Sequence, residues 1–305
     1  MHLRRKQKSG LVKAKVKRNI VGWLILLPSI LLFVFFVWYP ITFNILLSFF
    51  KDPSFKEFVW FSNYAALFKD ANFTAALKNT FLYIFWSLII GFLVPLLLGL
   101  LLSEVVHAKG FFRVIVYLPC MISGMAVVFL FKSMFGNNNW DVINVILIKV
   151  FGAKKGVQWT ADPKLVIPVI IFAMTWRGAG GTALIYLSNF QQIDDAIYEA
   201  TRLDGVGPIK RFFKITMPMM KTTIFLLLIL QVIAVFQVFY EPMVIAGDNV
   251  DAMSLMYLAY RFAYVNGKFE YAKSAATSVV LALIILSTTV LYFGLMKLFE
   301  RREKN

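Results

Sequence analysis

A 305-residue chain with 60% hydrophobic and only 16% charged residues, and a mean hydropathy of +0.73, does not suit a water-soluble domain. A bilayer core of about 30 Å takes about 20 apolar residues per helical crossing, so this composition supports about six crossings. The single cysteine, Cys120, excludes an intrachain disulfide framework, and with only His2 and His107 beside it a His/Cys metal cage is excluded too.

Charged residues are costly at bilayer depth, so the gaps between them delimit the spans. A basic arm, residues 1–18 with cations from Arg4 to Arg18, opens the chain. The apolar run after it, Asn19 to Phe50, is 32 residues long and no small-x-small cleavage site closes it. That pattern predicts a retained first helix rather than a secretory leader, kinked or ended at Pro28 and Pro40. The polar segment from Lys51 to Ala76 is rich in aromatics (Phe55, Phe58, Trp60, Phe61, Tyr64, Phe68, Phe73), as interfacial belts are. Further spans are expected over Asn79–Ser103 and Val114–Phe131. Between Gly136 and Asp162, the spacing of Trp140, Ile143, Asn144, Leu147 and Phe151 predicts a helix lying on the membrane surface. A fourth span, Leu165–Phe190, is interrupted only by Arg177, and Thr222–Tyr240 and Ser274–Met296 complete six. The prediction is an all-α polytopic membrane domain over 19–298, with a short tail at 299–305.

Six spans put both termini on one side, and Lys and Arg choose which. With a cytoplasmic N-terminus the inner segments hold 19 of the 32 basic residues and the outer segments 12, with Arg177 between them. The positive-inside rule therefore predicts cytoplasmic termini. It also accounts for the net charge of +16 without nucleic acid as a partner.

Polar side chains at membrane depth must find a partner or line water. Arg177, beside Trp176, sits mid-span, where an unpaired Arg costs about 2.5–3.5 kcal/mol on insertion scales. Gln231, Gln237, Tyr240 and Glu241 recur near one face of the fifth span and are expected to share a cavity with it. Such a set suits sugar hydroxyls and ring faces. The competing expectation is structural: Arg177 pairs with Glu241 or with another subunit and simply holds helices together.

The longest inner loop, 191–218, is organised as a helix, a tight turn and a second helix. Asp194 or Asp195 can cap the first, whose apolar positions Ile193, Ala196, Ile197, Ala200 and Leu203 follow the helical period. Gly205 supplies a left-handed stop, and Pro208 starts a second helix bearing Ile209, Phe212, Phe213 and Ile215, with Pro218 closing the unit. Met217, Met219 and Met220 read as packing beneath it.

Within this loop Glu199-Ala200-Thr201, Asp204-Gly205, Ile215 and Pro218 resemble the EAA loop of ATP-binding-cassette importer permeases over about twenty residues. Thr201 stands where that family most often has Ala. Tyr39-Pro40-Ile41, Asn63-Tyr64, Leu67-Phe68 and Asn79-Thr80 extend the resemblance to carbohydrate-importer permeases of the maltose and glycerol-phosphate type, across most of the chain. The Gly-rich turn many relatives carry after the fifth span is reduced here to Gly247-Asp248-Asn249. The resemblance implies a type I importer permease of the bacterial cytoplasmic membrane that imports a sugar or oligosaccharide, or a phosphorylated polyol. It implies docking on ATPase subunits through Glu199, Ala200, Thr201, Asp204, Gly205, Ile215 and Pro218. Implied partners are two ATPases carrying ATP and Mg, a second permease, an external solute-binding protein and membrane lipid. The chain itself has no Gly-x4-Gly-Lys-Ser/Thr phosphate loop, so no cofactor is expected on it and it is not expected to be an enzyme. A passive channel and a membrane-embedded transferase are the other readings; the second calls for catalytic acids or histidines at depth, which are sparse here.

Overall fold

Prolines shape the spans of the computed structural model, which describes residues 19–105, 107–265, 267 and 269–304. The basic arm lies outside the described residues. In chain order the helices are α1 (Asn19–Leu47), α2 (Ser62–Phe68), α3 (Ala71–Glu104), α4 (Lys109–Met121) and α5 (Gly124–Met134). There follow α6 (Val142–Lys149), α7 (Val166–Phe190), α8 (Asp195–Leu203), α9 (Pro208–Met219) and α10 (Lys221–Phe236). The last are α11 (Tyr240–Ile245), α12 (Leu255–Tyr264) and α13 (Tyr271–Lys304). Among the described residues the only β pairing is a bridge between Phe50 and Phe58.

A proline inside a helix removes one donor and crowds the carbonyl four residues back. Three helices absorb this with a widened π turn just upstream: Val34–Trp38 before Pro40, Ser87–Gly91 before Pro95 and Phe212–Thr216 before Pro218. After each turn the next N–H reaches five residues back, Tyr39 to Val34, Phe92 to Ser87 and Met217 to Phe212. Neither Pro28 nor Pro40 ends α1, which corrects that half of the sequence expectation. That helix stands apart from the rest until its last turn, where Leu47 is buried.

Four helices, α1, α3, α7 and α13, are long and apolar enough to cross a membrane unbroken. The predicted span Val114–Phe131 falls on a bent pair, α4 with α5 at 91°, and Thr222–Tyr240 falls on α10, which is bent by 78° from α9 of the loop 191–218. The first break follows Pro119 and falls at Ile122-Ser123, so the predicted span Val114–Phe131 is two half-helices. The tail from 299 continues α13 as helix.

The helix α7 is the hub. Its Val166, Ile167, Ile170, Ile171 and Ala173 pack with Tyr83 of α3, Val127, Val128 and Phe131 of α5, and Val235 of α10. Where α4 crosses it, a Cβ on Gly180 would lie 2.0 Å from the Val116 carbonyl oxygen, so only glycine permits this approach. Next to the crossing the Gly181 N–H donates to Cys120 Sγ at 3.2 Å.

Side-chain amides tie together the loops around α6 and between α11 and α12. Asn144, fully buried on α6, donates to the carbonyls of Asn138 and Val157 at 2.9 Å and accepts from Val157 N–H and Trp159 Nε1 at 2.9 Å. The sequence had placed Asn144 on a surface helix with Trp140 and Phe151. A helix forms there, with Asn144 in its first turn, and both aromatics lie just beyond its ends and are exposed. Asn79 donates to the carbonyls of Val250 (2.7 Å) and Met253 (3.2 Å), Thr80 accepts from Leu255 N–H (3.0 Å), and Tyr83 donates to Ala252 (2.8 Å). The start of α3 thereby holds the segment between α11 and α12.

Candidate functional site

The inner loop forms as two short helices with local caps. Asp194 supplies the first, its Oδ1 accepting from Ala196 N–H at 2.9 Å. At the far end Gly205 takes φ +66°, and the Val206 N–H donates to the Thr201 carbonyl at 3.0 Å, closing the helix in the left-handed manner glycine allows. Thr201 is buried, and its hydroxyl donates to the Tyr198 carbonyl at 2.8 Å, so the extra oxygen is satisfied within the helix. Pro208 occupies the first turn of α9.

One face of this unit packs against the spans. Ile193, Ile197, Tyr198, Phe212, Met217 and Met220 meet Leu96 of α3, Tyr186 and Phe190 of α7 and Ile224 of α10. Met219 does not join them; it is exposed. Arg211 sits 5.2 Å from the centre of the Tyr198 ring and 3.6 Å from Glu104, linking α9 to α8 and to the end of α3. A cavity of about 750 Å³ lies between these elements, lined in part by Ser103, Glu104, Tyr198, Glu199 and Arg211.

The outward side carries three large apolar side chains among charged ones such as Glu199, Asp204, Lys210 and Lys214. Leu203 is 89% exposed, Ile209 74% and Phe213 61%. Leu203 follows the helical period of Ile193 and Ile197 but does not share their burial. It lies at the helix's last turn, beyond the reach of the spans, and together with the second helix it makes a protruding tip. Glu199, Ala200, Asp204 and Gly205 are exposed on the same unit, and Ile215 is half-buried between the two faces. Pro218 is exposed where α9 meets α10.

At membrane mid-depth the predicted polar set divides. Arg177 and Tyr240 meet: the guanidinium donates to the Tyr240 hydroxyl at 3.4 Å and to the Ile122 carbonyl at 3.5 Å, beside the break between α4 and α5. Gly124 completes this corner, for a Cβ there would stand 2.7 Å from the Tyr240 hydroxyl oxygen and 3.4 Å from Arg177 Cζ. Trp176 is 37% exposed, with its ring 5.7 Å from that of Phe131. Glu241 is buried at the start of α11. Among the described residues no carboxylate pairs with Arg177.

The remaining two residues lie elsewhere. Gln231 faces Gly91 of the π turn in α3, and with Thr182 and Tyr186 it lines a separate cavity of about 280 Å³. Gln237 is exposed and bonds back to the Ile233 carbonyl at 3.2 Å. A single continuous fifth span would have aligned all four residues. Since α10 ends at Phe236 and α11 starts afresh at Tyr240, the helical spacing carried across that gap does not hold. Sequence reasoning missed Ile122 and Gly124 as partners of Arg177, although Pro119 and Gly124 inside one apolar run were the available signal for a broken span.

Comparison with known proteins places this architecture. Residues 91–305 match the family described as binding-protein-dependent transport system inner membrane component. The chain is 32% identical over 284 residues to the probable ABC transporter permease protein YurN of Bacillus subtilis (strain 168), covering 91% of this chain and 97% of that one. It is 31% identical over 289 residues to the lactose transport system permease protein LacF of Rhizobium radiobacter, covering 92% and 96%. Its fold is similar to a chain of a bacterial alginate ABC transporter crystallised with an alginate pentasaccharide-bound periplasmic protein, with TM-score 0.80, 26% identity and coverage of 92% and 94%. Broken and unbroken spans around one hub, an organised inner loop and these likenesses agree: the chain is a multi-pass membrane transport subunit, not an enzyme, and belongs to the binding-protein-dependent transport system inner membrane components.

Proposed function

We propose that this chain is one of two permeases in an ATP-driven importer of a sugar or oligosaccharide, and that loop 191–218 is its docking element for an ATPase. The observation that carries the reading is the tip formed by Leu203, Ile209 and Phe213: three exposed apolar side chains on a helix-turn-helix whose caps hold without a partner. Membrane helices facing lipid need no such tip, but a cleft in a soluble subunit does. Glu199, Ala200, Thr201, Asp204, Gly205, Ile215 and Pro218 shape and present it. ATP and Mg belong to the partner ATPases, and both termini lie in the cytoplasm.

Closure of two ATPases around ATP would move α8 and α9 as one body. Their packing on α3, α7 and α10 passes that motion to the spans, and the bent pairs supply the joints. The pathway then opens alternately to the binding protein outside and to the cytoplasm. Support for a carbohydrate cargo comes from LacF and from the alginate transporter, and from Trp176, Arg177 and Tyr240 at depth. On this reading Gln231, Gln237 and Glu241 belong to the pathway in another conformation or at another level.

The test is the double variant Glu199→Ala with Gly205→Asp, reconstituted with the partner ATPase, second permease and binding protein. The complex is expected to insert normally and to lose stimulated ATP hydrolysis. Normal stimulation would sink the docking assignment. Uptake that persists after ATP hydrolysis is abolished would instead favour a passive channel.

A further inference from the structure

Two unbroken spans end side by side, α3 at Glu104 and α7 at Phe190, and charged residues resume there, as they do where a membrane gives way to water. The cavity of about 750 Å³ lies at this level, where α3, α4, α7, α8 and α9 meet. Its lining divides by chemistry. Leu100, Leu101 and Phe190 are apolar, while Lys109 and Arg211 bring positive charge and Glu104 and Glu199 negative charge. The charges are not spent on one another. Glu104 stands 3.6 Å from Arg211, beyond hydrogen-bond length, and Lys109 has no ion pair among the described residues.

Further along the same two helices lies an apolar groove of about 220 Å³, lined by Val94 and Leu98 of α3, Ile115 and Pro119 of α4 and Ala179 of α7. Leu101 comes seven residues after Val94 and three after Leu98, so one face of α3 joins groove to cavity. At that junction Leu101 is 62% exposed. A soluble ligand could use the charges but would leave Leu101 and the groove uncovered. A space with both signs of charge at headgroup level and an apolar groove leading into the span has the form of one phospholipid.

We propose that the chain binds a single phospholipid here, with a headgroup that carries a phosphate and a primary ammonium, as phosphatidylethanolamine does. The phosphate takes the donors of Lys109 and Arg211, the ammonium donates to Glu104, and part of one acyl chain fills the groove. A purely anionic headgroup would set its charge against two carboxylates, and a quaternary choline has no N–H to give them. The lipid touches α3 and α4 on one side and α9 on the other, so it ties the loop 191–218 to the spans. The site belongs to the chain itself and can be read whatever the loop docks on.

The chain, purified in mild detergent with the subunits that accompany it, is placed in nanodiscs of equal parts phosphatidylethanolamine, phosphatidylcholine and phosphatidylglycerol. It is then re-extracted, and the retained lipid is read by native mass spectrometry. One phosphatidylethanolamine per chain is expected, in preference to the other two. Lys109→Gln and, separately, Leu101→Trp should each lower its retention by about tenfold. Both positions are exposed, so neither change disturbs the packing. A second readout needs no variant: carbodiimide joins a carboxyl to a primary amine with loss of water. The peptide bearing Glu104 should gain the mass of phosphatidylethanolamine less water, in preference to that bearing Asp194, which is exposed on the same loop outside the cavity.

Preferential retention of phosphatidylglycerol, lost with Lys109→Gln, would mean a site for negative charge alone and would overturn the proposal. Equal retention of all three lipids, indifference to both variants, or no lipid adduct on Glu104 would overturn it as well, leaving the cavity to water and the groove to passing acyl chains.

Discussion

The two ends of this molecule are held by different means. At one end, the outer one on the proposed orientation, buried amides close the loops onto themselves: Asn144 makes five hydrogen bonds across residues 136–159, and Asn79 clamps a segment some 170 residues later in the chain. At the inner end, apolar packing fixes one face of a helix pair and leaves Leu203, Ile209 and Phe213 in solvent. A polar network can be completed within one chain, whereas an exposed apolar tip is completed only by something else. The outer end is thus finished in the isolated chain and the inner end is not. That contrast predicts which substitutions cost stability and which cost only function.

The largest loss of stability is expected from Asn144→Ala. It removes both acceptor and donor from a buried site, leaving the Val157 N–H, the Trp159 indole N–H and three carbonyls without their partner. Each lost bond is worth about 1 kcal/mol, and buried groups left unpaired add to it, so about 3–4 kcal/mol is expected. Thermal unfolding of the purified chain in detergent measures it. An unchanged midpoint would mean that the outer end is not self-sufficient.

Asn79→Ala comes next, at about 2 kcal/mol, because it frees the carbonyls of Val250 and Met253 while Thr80 and Tyr83 keep hold of the same segment. Protease susceptibility between α11 and α12 should rise in step. Equal effects from Asn79→Ala and Asn144→Ala would contradict the redundancy that Thr80 and Tyr83 provide.

A smaller effect at the same end depends on pH. Asp70 caps α3 through Asn72 N–H at 2.8 Å and pairs with Lys273 of α13 at 2.5 Å. Burial pushes its carboxyl up, but the hydrogen bonds from Lys273 and Asn72 and the charge of Lys273 outweigh that and hold it below its ordinary value of 3.8. A carboxyl with a depressed folded-state value contributes stability above its unfolded value and loses it as pH falls through the folded one. The contribution is therefore present at neutral pH and fades on the acid side of 3.8. Asparagine caps as well as aspartate, so Asp70→Asn isolates the charge. It should cost under about 1 kcal/mol at pH 7 and nothing once wild-type Asp70 is protonated. A cost that persists at acid pH would assign the effect to the cap.

What could be read in advance follows the same division. The inner loop was legible because its caps, stop and prolines act within a few residues: Asp194, Gly205, Pro208 and Pro218 announce themselves locally. The spans were legible because charge avoidance is a property of each stretch alone. The break at Ile122-Ser123 was not, since Pro119 sat in an otherwise qualifying apolar run and Pro40, in a similar run, is absorbed by a π turn. Nor were the partners of Asn79, Asn144 and Arg177, which are set by packing between distant elements. Leu203 shows the limit of periodicity: it kept the helical phase, but the surface that would have buried it ends one turn earlier.

The smallest change in stability should accompany the largest change in function. Replacing Leu203, Ile209 and Phe213 together by serine removes apolar surface that the isolated chain already leaves in water, so little burial is lost and the unfolding midpoint should move by no more than about 0.5 kcal/mol equivalent. The caps at Asp194 and Gly205 and the packing of Ile197, Tyr198 and Phe212 remain. Yet the surface offered to a partner is gone, and with it the hydrophobic part of any docking energy, about 25 cal/mol for each Å² no longer covered. Co-purification of an ATPase with the chain should be lost while the chain itself stays monodisperse. If stability falls sharply instead, these side chains pack within the chain after all. If the ATPase still comes down with the variant, the loop's polar face, not its apolar tip, carries the docking.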